Sequence, residues 1–398
     1  MSILLVTDPH TDGHVRPVLL ELLRRGHDVQ IFDPGAYPGM STITIDSTAS
    51  GPHAVVRQAD QAIDLGEVGS VWYRRPGDFG LPEELATGEA EWLRRECVAL
   101  INGIYANTDA LWVSAPHLIR HAELKLLQLR LAQQLGLRVP DYTVTNDPER
   151  ARTFLSERPD GVIVKALSIP TIQLEDRAGA IYTHPVSAHD AEQIESVRYG
   201  PTFFQALVPK ARDIRVTVIG EQLFAAGIES MTVAESRVDF RQAEIMDLPH
   251  MPIQLPGPVT RACVELVRQL GLQFGAIDLI ETPGGEYVFL EINPNGQWYW
   301  IELMTGQPLA SAMADLLEKG ELERGRHPDP RKAHVSSPRK PHVLPVGDQT
   351  IPLNRELEFG AEGLDVRIDA VATNAWLEKK GDETLLHVGD TSTTDASD

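Results

Sequence analysis

The pattern of hydrophobic and polar residues at the start of the chain predicts a strand, a helix and a second strand. The apolar run 3–6 is typical of a buried strand, and the leucines within 19–23 recur at the spacing of one helix face. Gly26 marks the end of that helix, and the apolar segment 29–32 predicts the next strand. This order and spacing are typical of a βαβ unit with parallel strands.

A further strand at 70–76 and a long helix around 84–107 extend this unit to a small α/β domain that ends near Ala115. The turn after the first strand reads TDPHTDGH. It lacks the G-x-G-x-x-G glycines that bring a backbone close to a dinucleotide pyrophosphate. A Rossmann dinucleotide domain is therefore not expected.

The middle of the chain predicts helices and antiparallel hairpins. Helical periodicity covers 117–135 and 258–270, and a last helix ends at Gly320. Two pairs of apolar segments are joined by turn residues, at Gly220-Glu221 and at 282–285, and each pair predicts a hairpin. The chemistry-bearing residues discussed below lie mostly on these hairpins.

The end of the chain has a different composition. Segment 326–345 carries five prolines, as in a linker. Alternation in 363–372 and apolar residues in 383–388 predict a few appended strands, and the last residues, 389–398, are polar.

Composition and charge narrow the range of partners. The 398 residues carry a formal net charge of −21, which repels nucleic-acid phosphates and anionic membranes. An anionic ligand must therefore meet a local basic pocket. The two cysteines, Cys97 and Cys263, are far apart and do not suggest a disulfide framework or a zinc ribbon. No signal peptide or membrane-spanning segment is evident, and we expect a cytoplasmic protein.

The second hairpin carries a set of oxygen ligands. Glu291 and Asn293 are two residues apart on one predicted strand and so point to the same face, which Asp278 can share from the partner strand. Two carboxylates and an amide oxygen suit Mg²⁺ bound together with substrate phosphates. The alternative is an acidic hairpin that faces solvent. The apolar neighbours of Asp278 and Glu291 favour the metal, because a carboxylate in such surroundings is usually paired or metal-bound.

Two lysines are candidates for binding phosphate. Lys165 ends the apolar strand at 162–164, and Lys125 lies in a leucine-rich helix. A half-buried ammonium needs an anionic partner, and a nucleotide phosphate is the candidate once Mg²⁺ is inferred. Each lysine taken alone could equally form an ion pair or extend from an amphipathic helix to solvent.

Three other groups have structural explanations as well as functional ones. The His-x-Asp-x-His segment 10–14 has a metal-like spacing, but it lies in a glycine-containing loop without a fourth ligand, and we predict a capped loop. Arg74 and Arg75 could meet an acidic peptide or form a structural salt bridge. The aromatic cluster 298–300 is more typical of core packing than of base stacking.

The order of these segments resembles the ATP-grasp fold. The residues that carry the resemblance are Lys125, VIVK ending at Lys165, QALV at 205–208, DIRVTVIG at 213–220, DLIE with Asp278, and EINPNG with Glu291 and Asn293. More narrowly, SVWYRRP, VPKARDIRVTVIG, VDFR and FLEINPNGQWYWIELMTGQPLA resemble the ligases that macrocyclise ribosomal peptides of the microviridin type, the graspetides. The resemblance covers about residues 1–320.

The resemblance implies an α/β protein with four parts. Residues 1–115 would form a βαβ pre-ATP-grasp domain, and 116–325 a two-lobed ATP-grasp domain with ATP between the lobes. A Pro-rich linker at 326–345 and a small β-rich segment with an acidic tail at 346–398 would follow.

The resemblance also implies the roles of the site residues. Lys125 and Lys165 would hold the ATP phosphates, and the backbone around Gln205 and Val208 would read the adenine edge. Mg²⁺ would be held by Asp278, Glu291 and Asn293.

Two arginines complete the predicted catalytic set. Arg215 would face the phosphate or acyl phosphate, and Arg241 would bind a substrate carboxylate; the alternative for each is a surface arginine. Many ATP-grasp enzymes have a Gly-rich phosphate loop after the lysine strand, but segment 166–180 contains a single glycine, so no residue is assigned there.

The predicted function is ATP-dependent activation of Asp or Glu side chains in a precursor peptide, followed by intramolecular ester or amide formation. Two alternatives remain open: an ATP-grasp ligase that adds amino acids to a protein or small peptide, and a non-catalytic nucleotide sensor. The expected partner is the precursor peptide, with no nucleic acid or membrane, and a homodimer is compatible with the sequence.

Overall fold

A computed structural model describes residues 2–49, 51–59, 61–168, 171–173, 178–180, 183–233, 236–242 and 245–320, together with the strands at 375–380 and 383–388. The described helices are α1 (Val15–Arg24), α2 (Thr87–Asn107), α3 (Pro116–Ala122), α4 (Lys125–Gln134), α5 (Pro148–Ser156), α6 (Ala188–Glu192), α7 (Gly257–Gln269), α8 (Tyr299–Thr305) and α9 (Leu309–Lys319). The described strands are β1 (Ser2–Val6), β2 (Val29–Phe32), β3 (Ser41–Thr48), β4 (Gly51–Gln58), β5 (Gln61–Asp64), β6 (Val68–Tyr73), β7 (Leu111–Val113), β8 (Tyr142–Thr145), β9 (Val162–Lys165), β10 (Thr171–Gln173), β11 (Ala178–Ala180), β12 (His184–Pro185), β13 (Thr202–Ala206), β14 (Arg212–Ile219), β15 (Gln222–Ile228), β16 (His250–Ile253), β17 (Phe274–Glu281), β18 (Tyr287–Asn293), β19 (Ala375–Lys380) and β20 (Glu383–Val388).

The N-terminal part contains the predicted parallel sheet. Its order is β2-β1-β6-β7, and each neighbouring pair runs parallel. Gly26 follows α1 with a φ of +85°, which explains why a glycine stands where that helix ends. An additional antiparallel sheet, β3-β4-β5, is absent from the sequence-based prediction.

Two antiparallel sheets form the following part of the chain. The smaller has the order β12-β9-β13-β8, and the larger has the order β16-β15-β14-β17-β18. Both predicted hairpins are present in the larger sheet, and Gly220 and Gly285 adopt positive φ angles in their turns.

The helix predicted at 117–135 is in fact two helices. α3 ends at Ala122, and α4 begins at Lys125 after a short turn. The buried side chain of Gln128 fixes α4 against the larger sheet: its amide donates to the Ile292 carbonyl at 2.8 Å and accepts from the Ile292 N–H at 3.2 Å.

One hydrophobic core joins the N-terminal sheet to the larger antiparallel sheet. Leu5 and Trp72 of the N-terminal sheet belong to the same cluster as Ile219 and Phe274 of the larger sheet and Leu317 of α9. Trp298 is completely buried and Trp300 nearly so, which agrees with core packing of the aromatic cluster. No helix in the described part of the chain has the length and apolar character needed to cross a membrane.

Near the C-terminus, β19 and β20 pair as an antiparallel hairpin, and β20 coincides with the strand expected at 383–388. The linker 326–345, the strand expected at 363–372 and the tail 389–398 lie outside the described residues.

Candidate active site

A cleft that is open at its mouth lies between the two antiparallel sheets, and the empty space in it, with the open solvent at its mouth, is about 640 Å³. Six of the nine predicted site residues line it directly: Lys165, Gln205, Val208, Arg241, Asp278 and Glu291. Of the other three, Lys125 contacts Glu291 and Arg215 contacts Asp278, while Asn293 is the second residue after Glu291 on the same strand.

The predicted oxygen ligands lie together on β17 and β18. Asp278 is directly opposite Glu291 in the antiparallel register, and Asn293 follows two residues later on the same strand. Asp278 is buried, Glu291 is partly buried and Asn293 is exposed. The structure thus brings two carboxylates and an amide to one end of the hairpin.

Glu291 is surrounded by cations. The Nζ atom of Lys125 lies 2.6 Å from its Oε2, and the Nη1 atom of Arg241 lies 3.7 Å from its Oε1. Burial opposes ionisation, but Lys125, then Lys165 and Arg241, outweigh it and hold the pKa of Glu291 well below its usual range.

Lys165 is the last residue of β9 and lies in the cleft wall. Burial lowers its pKa, and the neighbouring cations Lys125 and Arg241 act in the same direction, while Glu291 and Asp278 oppose them. An additional anion at this position would therefore be favoured electrostatically.

Arg215 holds the second carboxylate. It lies opposite Asp278 in the pairing of β14 with β17, and its Nη1 donates to the Asp278 carboxylate at 2.8 Å. Its Nη2 donates to the Gln297 carbonyl at 2.7 Å, in the loop that follows β18. Arg215 is therefore buried beside the ligand set and is not a surface arginine.

Arg241 is also in the cleft, but part of its guanidinium is already occupied. Its Nε and Nη2 donate to the two oxygens of Asp239 at 2.8 and 2.7 Å. Burial disfavours its charge, yet Asp239 and then Glu291 raise the pKa of Arg241 above its usual range. Nη1, which points toward Glu291, is the part that faces the site.

The predicted adenine segment needs one correction. Gln205 pairs with Tyr142 on one side and with Ile163 on the other, so the sheet occupies its backbone. Its side chain is completely buried in the cleft wall, and neither amide atom has a hydrogen-bond partner within the described structure. Val208 comes just after the strand and lines the same wall. The Gln205 side chain is therefore a buried polar group without a partner in the described part of the cleft wall.

The sequence-based prediction did not assign a second buried ion pair in the cleft. The Nζ atom of Lys210 lies 2.6 Å from an oxygen of Asp213, to which the hydroxyl of Ser230 also donates. Burial raises the pKa of Asp213, against the opposing effects of Lys210 and Ser230. Asp213 alternates with Arg215 on β14, and this alternation was the available signal.

Segment 10–14 is a loop stabilised by its own side chains. The Asp12 carboxylate accepts from the His14 backbone N–H at 3.0 Å and contacts His14 Nδ1 at 2.7 Å. Nowhere in the described structure do three His, Cys, Asp or Glu side chains gather as a metal site. The contacts of Asp12 with the backbone and ring of His14 are those of the capped loop that the sequence predicts. Part of segment 166–180, where a Gly-rich phosphate loop would lie, is outside the described residues.

Comparison with known proteins identifies the family. Residues 2–120 match the family model of the MvdD pre-ATP grasp domain. The chain is 31% identical to the macrocyclase MdnC from Microcystis aeruginosa MRC, whose crystal structure contains the precursor peptide MdnA. That match covers 80% of this chain and 100% of MdnC, with a TM-score of 0.71. The chain belongs to the ATP-grasp macrocyclase family.

Two further structures support this membership. The macrocyclase MdnB from the same organism is 32% identical, over 79% of this chain and 98% of MdnB, with a TM-score of 0.64. A RiPP-associated ATP-grasp ligase from Chryseobacterium gregarium, in complex with ADP and a leader and core peptide, is 26% identical over 81% and 98%, with a TM-score of 0.75. No curated protein sequence matches significantly. The predicted ATP-grasp fold and family are confirmed, and this macrocyclase-family protein is an ATP-dependent ligase.

Proposed function

We propose that this ATP-grasp ligase is a graspetide synthetase, which joins Asp or Glu side chains of a ribosomal precursor peptide to Ser or Thr hydroxyls or Lys amines of the same peptide. The observation that carries the proposal is the charge distribution of the cleft. In a chain with a net charge of −21, two lysines and two arginines converge on Asp278 and Glu291.

The residues of the cleft fit Mg²⁺ and ATP. Asp278, Glu291 and Asn293 provide the all-oxygen set that Mg²⁺ prefers. The unpartnered buried amide of Gln205 is costly unless a ligand completes its hydrogen bonds, and an adenine edge offers both a donor and an acceptor. The Chryseobacterium gregarium ligase contains ADP, which agrees with a nucleotide in this cleft.

ATP would supply a phosphoryl group that turns the substrate carboxylate into an acyl phosphate, from which phosphate leaves more readily than hydroxide. In this reaction we assign phosphate binding to Lys125 and Lys165, whose charges stabilise the transferring group. Arg215, fixed between Asp278 and the Gln297 carbonyl, would stabilise the acyl phosphate. Arg241 would meet the substrate carboxylate through Nη1, since Asp239 holds the rest of its guanidinium.

A peptide with acidic side chains is the substrate class that these cations favour, because two arginines and two lysines would bind it together with the nucleotide phosphates. MdnC and the Chryseobacterium gregarium ligase are both described with precursor or leader and core peptides. We further propose that the ligase acts in the cytoplasm, where its peptide substrate is synthesised, and that residues 1–115 and 116–325 act as its pre-ATP-grasp and catalytic domains.

The test uses the purified ligase, ATP, Mg²⁺ and a short peptide encoded beside its gene that contains Ser or Thr and Asp or Glu clusters. We expect mass spectrometry to show the loss of one water per ring, and ADP with phosphate to form in equal amounts. Mild base should reopen ester links and leave amide links intact.

Two results would contradict the proposal. A gain of mass by added amino acids would indicate the alternative carboxylate–amine ligase. Mg²⁺-dependent nucleotide binding with no turnover of any such peptide would favour the nucleotide sensor.

A further inference from the structure

A buried arginine that follows a strand of the N-terminal sheet reaches the loop that comes directly after the proposed metal ligand Asn293. Arg74 follows β6 and is 1% exposed. Its Nη1 donates to the Asn295 carbonyl at 2.6 Å, to the Asn295 side-chain oxygen at 3.0 Å and to the Gly296 carbonyl at 3.1 Å. The Asn295 amide returns a bond to the Arg74 carbonyl at 2.6 Å. Asn295 is the second residue after Asn293 along the chain.

The other side of this arginine is fixed by the first loop of the chain. The Nε atom of Arg74 lies 2.8 Å from an oxygen of Asp12, and both side chains are almost completely buried. The other Asp12 oxygen contacts His14, whose ring lies edge-on to Trp298. Burial, then Arg74 and Arg75, lower the pKa of His14 to about 4, although Asp12 opposes them. His14 is therefore neutral at pH 7, and Asp12 is a buried counter-ion of Arg74.

The loop after β18 is thus held from two directions. Arg74 binds it from the N-terminal sheet, and Arg215 binds the Gln297 carbonyl from within the active site. The space around Gly296 is tight, because a Cβ there would meet Ala276 at 2.7 Å and Arg215 at 2.9 Å. The Asn293 side chain itself accepts from the Asn295 N–H at 3.2 Å. Any movement of Asn295 would therefore move the oxygen that we assign to the metal.

We propose that Arg74 is a positioning residue that fixes Asn293 for metal binding, and that Asp12 orients Arg74. The N-terminal domain then contributes indirectly to Mg²⁺ binding, because it supplies no metal ligand but fixes the position of one. This inference rests on the assignment of Asp278, Glu291 and Asn293 in the proposed function. Its signature is a loss of metal-dependent nucleotide affinity, while the affinity for nucleotide without metal remains unchanged.

The test measures ADP affinity of the full chain by calorimetry, once with Mg²⁺ and once with EDTA. In Arg74→Lys the charge opposite Asp12 remains, but the donors that reach the loop are lost. We expect the ratio of the two affinities to fall by at least about tenfold, the lower end of what loss of a supporting contact to a metal ligand costs. Affinity in EDTA should stay within about twofold of wild type.

Arg25→Lys is the matched control. Arg25 also lies in the N-terminal part and binds a distant element, with Nη1 at 2.6 Å from Asp315 and 2.9 Å from Glu318 of α9, but it does not touch the loop. The ratio of ADP affinity with Mg²⁺ to ADP affinity with EDTA should be the same in Arg25→Lys as in wild type. Asn295→Ala provides a second variant that leaves the Arg74–Asp12 pair in place and removes two bonds to the loop, and we expect its ratio to fall in the same direction.

The outcomes separate this inference from the proposed function. If wild type binds ADP equally with and without Mg²⁺, the metal assignment is wrong and the inference falls with it. If wild type shows the metal dependence and both Arg74→Lys and Asn295→Ala keep it, the metal assignment stands and the positioning role is refuted. An Arg74→Lys protein that does not fold leaves the decision to Asn295→Ala, which tests the same loop.

Discussion

Glu291→Gln separates the two roles that the structure gives to this residue, as a metal ligand and as the counter-ion of Lys125. The substitution keeps the shape of the side chain and removes its charge. Lys125 and Glu291 are 2.6 Å apart, with side-chain exposures of 20% and 17%. A charge-assisted hydrogen bond of this kind contributes about 1.5–3 kcal/mol, so the free energy of unfolding should fall by about that amount.

The effect of Glu291→Gln on ADP affinity should depend on whether Mg²⁺ is present. With Mg²⁺ present, the loss of one anionic ligand should weaken ADP binding about 10–100-fold, which corresponds to about 1.4–2.7 kcal/mol. With EDTA present, binding should be unchanged or tighter, because the variant has one negative charge fewer beside the phosphates. Calorimetry under both conditions, combined with urea denaturation of the free protein, measures the two effects separately.

Glu281→Gln is the control for the structural part. Glu281 lies on the same strand pair, is 18% exposed, and pairs with Arg212 at 2.7 Å, but it is not in the cleft. Its loss should lower the free energy of unfolding by a similar amount and leave ADP binding unaltered. If Glu291→Gln behaves like Glu281→Gln in both assays, the carboxylate is structural and the metal assignment is wrong.

Two other substitutions and one truncation test the roles of Gln205, His14 and the residues after 325. Gln205→Leu removes the unpartnered buried amide, so the free energy of unfolding should rise by about 1–3 kcal/mol while ADP affinity falls. A destabilised variant would show that the Gln205 amide is not an unsatisfied group. The pKa of His14 is about 4 in the folded protein and about 6.5 in the unfolded chain. As the pH falls, the unfolded chain therefore binds a proton at His14 before the folded protein does, and this favours unfolding. Between pH 7 and pH 4.5, the free energy of unfolding of wild type should fall by about 2–3 kcal/mol more than that of His14→Gln. Urea denaturation at both pH values measures this difference. A chain that ends after residue 325 should still fold and bind ADP, because the matches to MdnC and MdnB cover their whole or nearly whole length with about four fifths of this chain; insolubility of the truncated protein would contradict this.

The sequence was most informative where the signal is local. The hairpins around Gly220 and Gly285 were predictable because turn residues separate two apolar segments and the alternation fixes which side chains share a face. The same alternation placed Glu291 and Asn293 on one face, and the structure adds the exact register with Asp278. The β3-β4-β5 sheet was not predicted, because most side chains of β3 are exposed and its apolar alternation is limited to Ile43 and Ile45.

Contacts between distant segments could not be predicted in the same way. Apolar periodicity continues across Glu123 and Leu124, so it did not reveal the break that makes Lys125 the first residue of α4. Arg74 and Asn295 are 221 residues apart, and their contact depends on how the N-terminal sheet packs against the larger sheet. Arg74 was therefore predicted only as one of two alternatives, a salt bridge or a peptide contact, and the structure supports the salt bridge.

In the proposed reaction, a peptide carboxylate is activated by phosphorylation before the ring closes. The most direct test uses a precursor peptide whose Asp and Glu carboxylates carry ¹⁸O, incubated with the ligase, ATP and Mg²⁺. The carboxylate oxygen that attacks the γ-phosphorus stays with phosphate when the hydroxyl or amine displaces it. One ¹⁸O atom is therefore expected in each phosphate released, with ADP formed in equal amount. Unlabelled phosphate accompanying ring formation, or label in AMP, would contradict activation through an acyl phosphate.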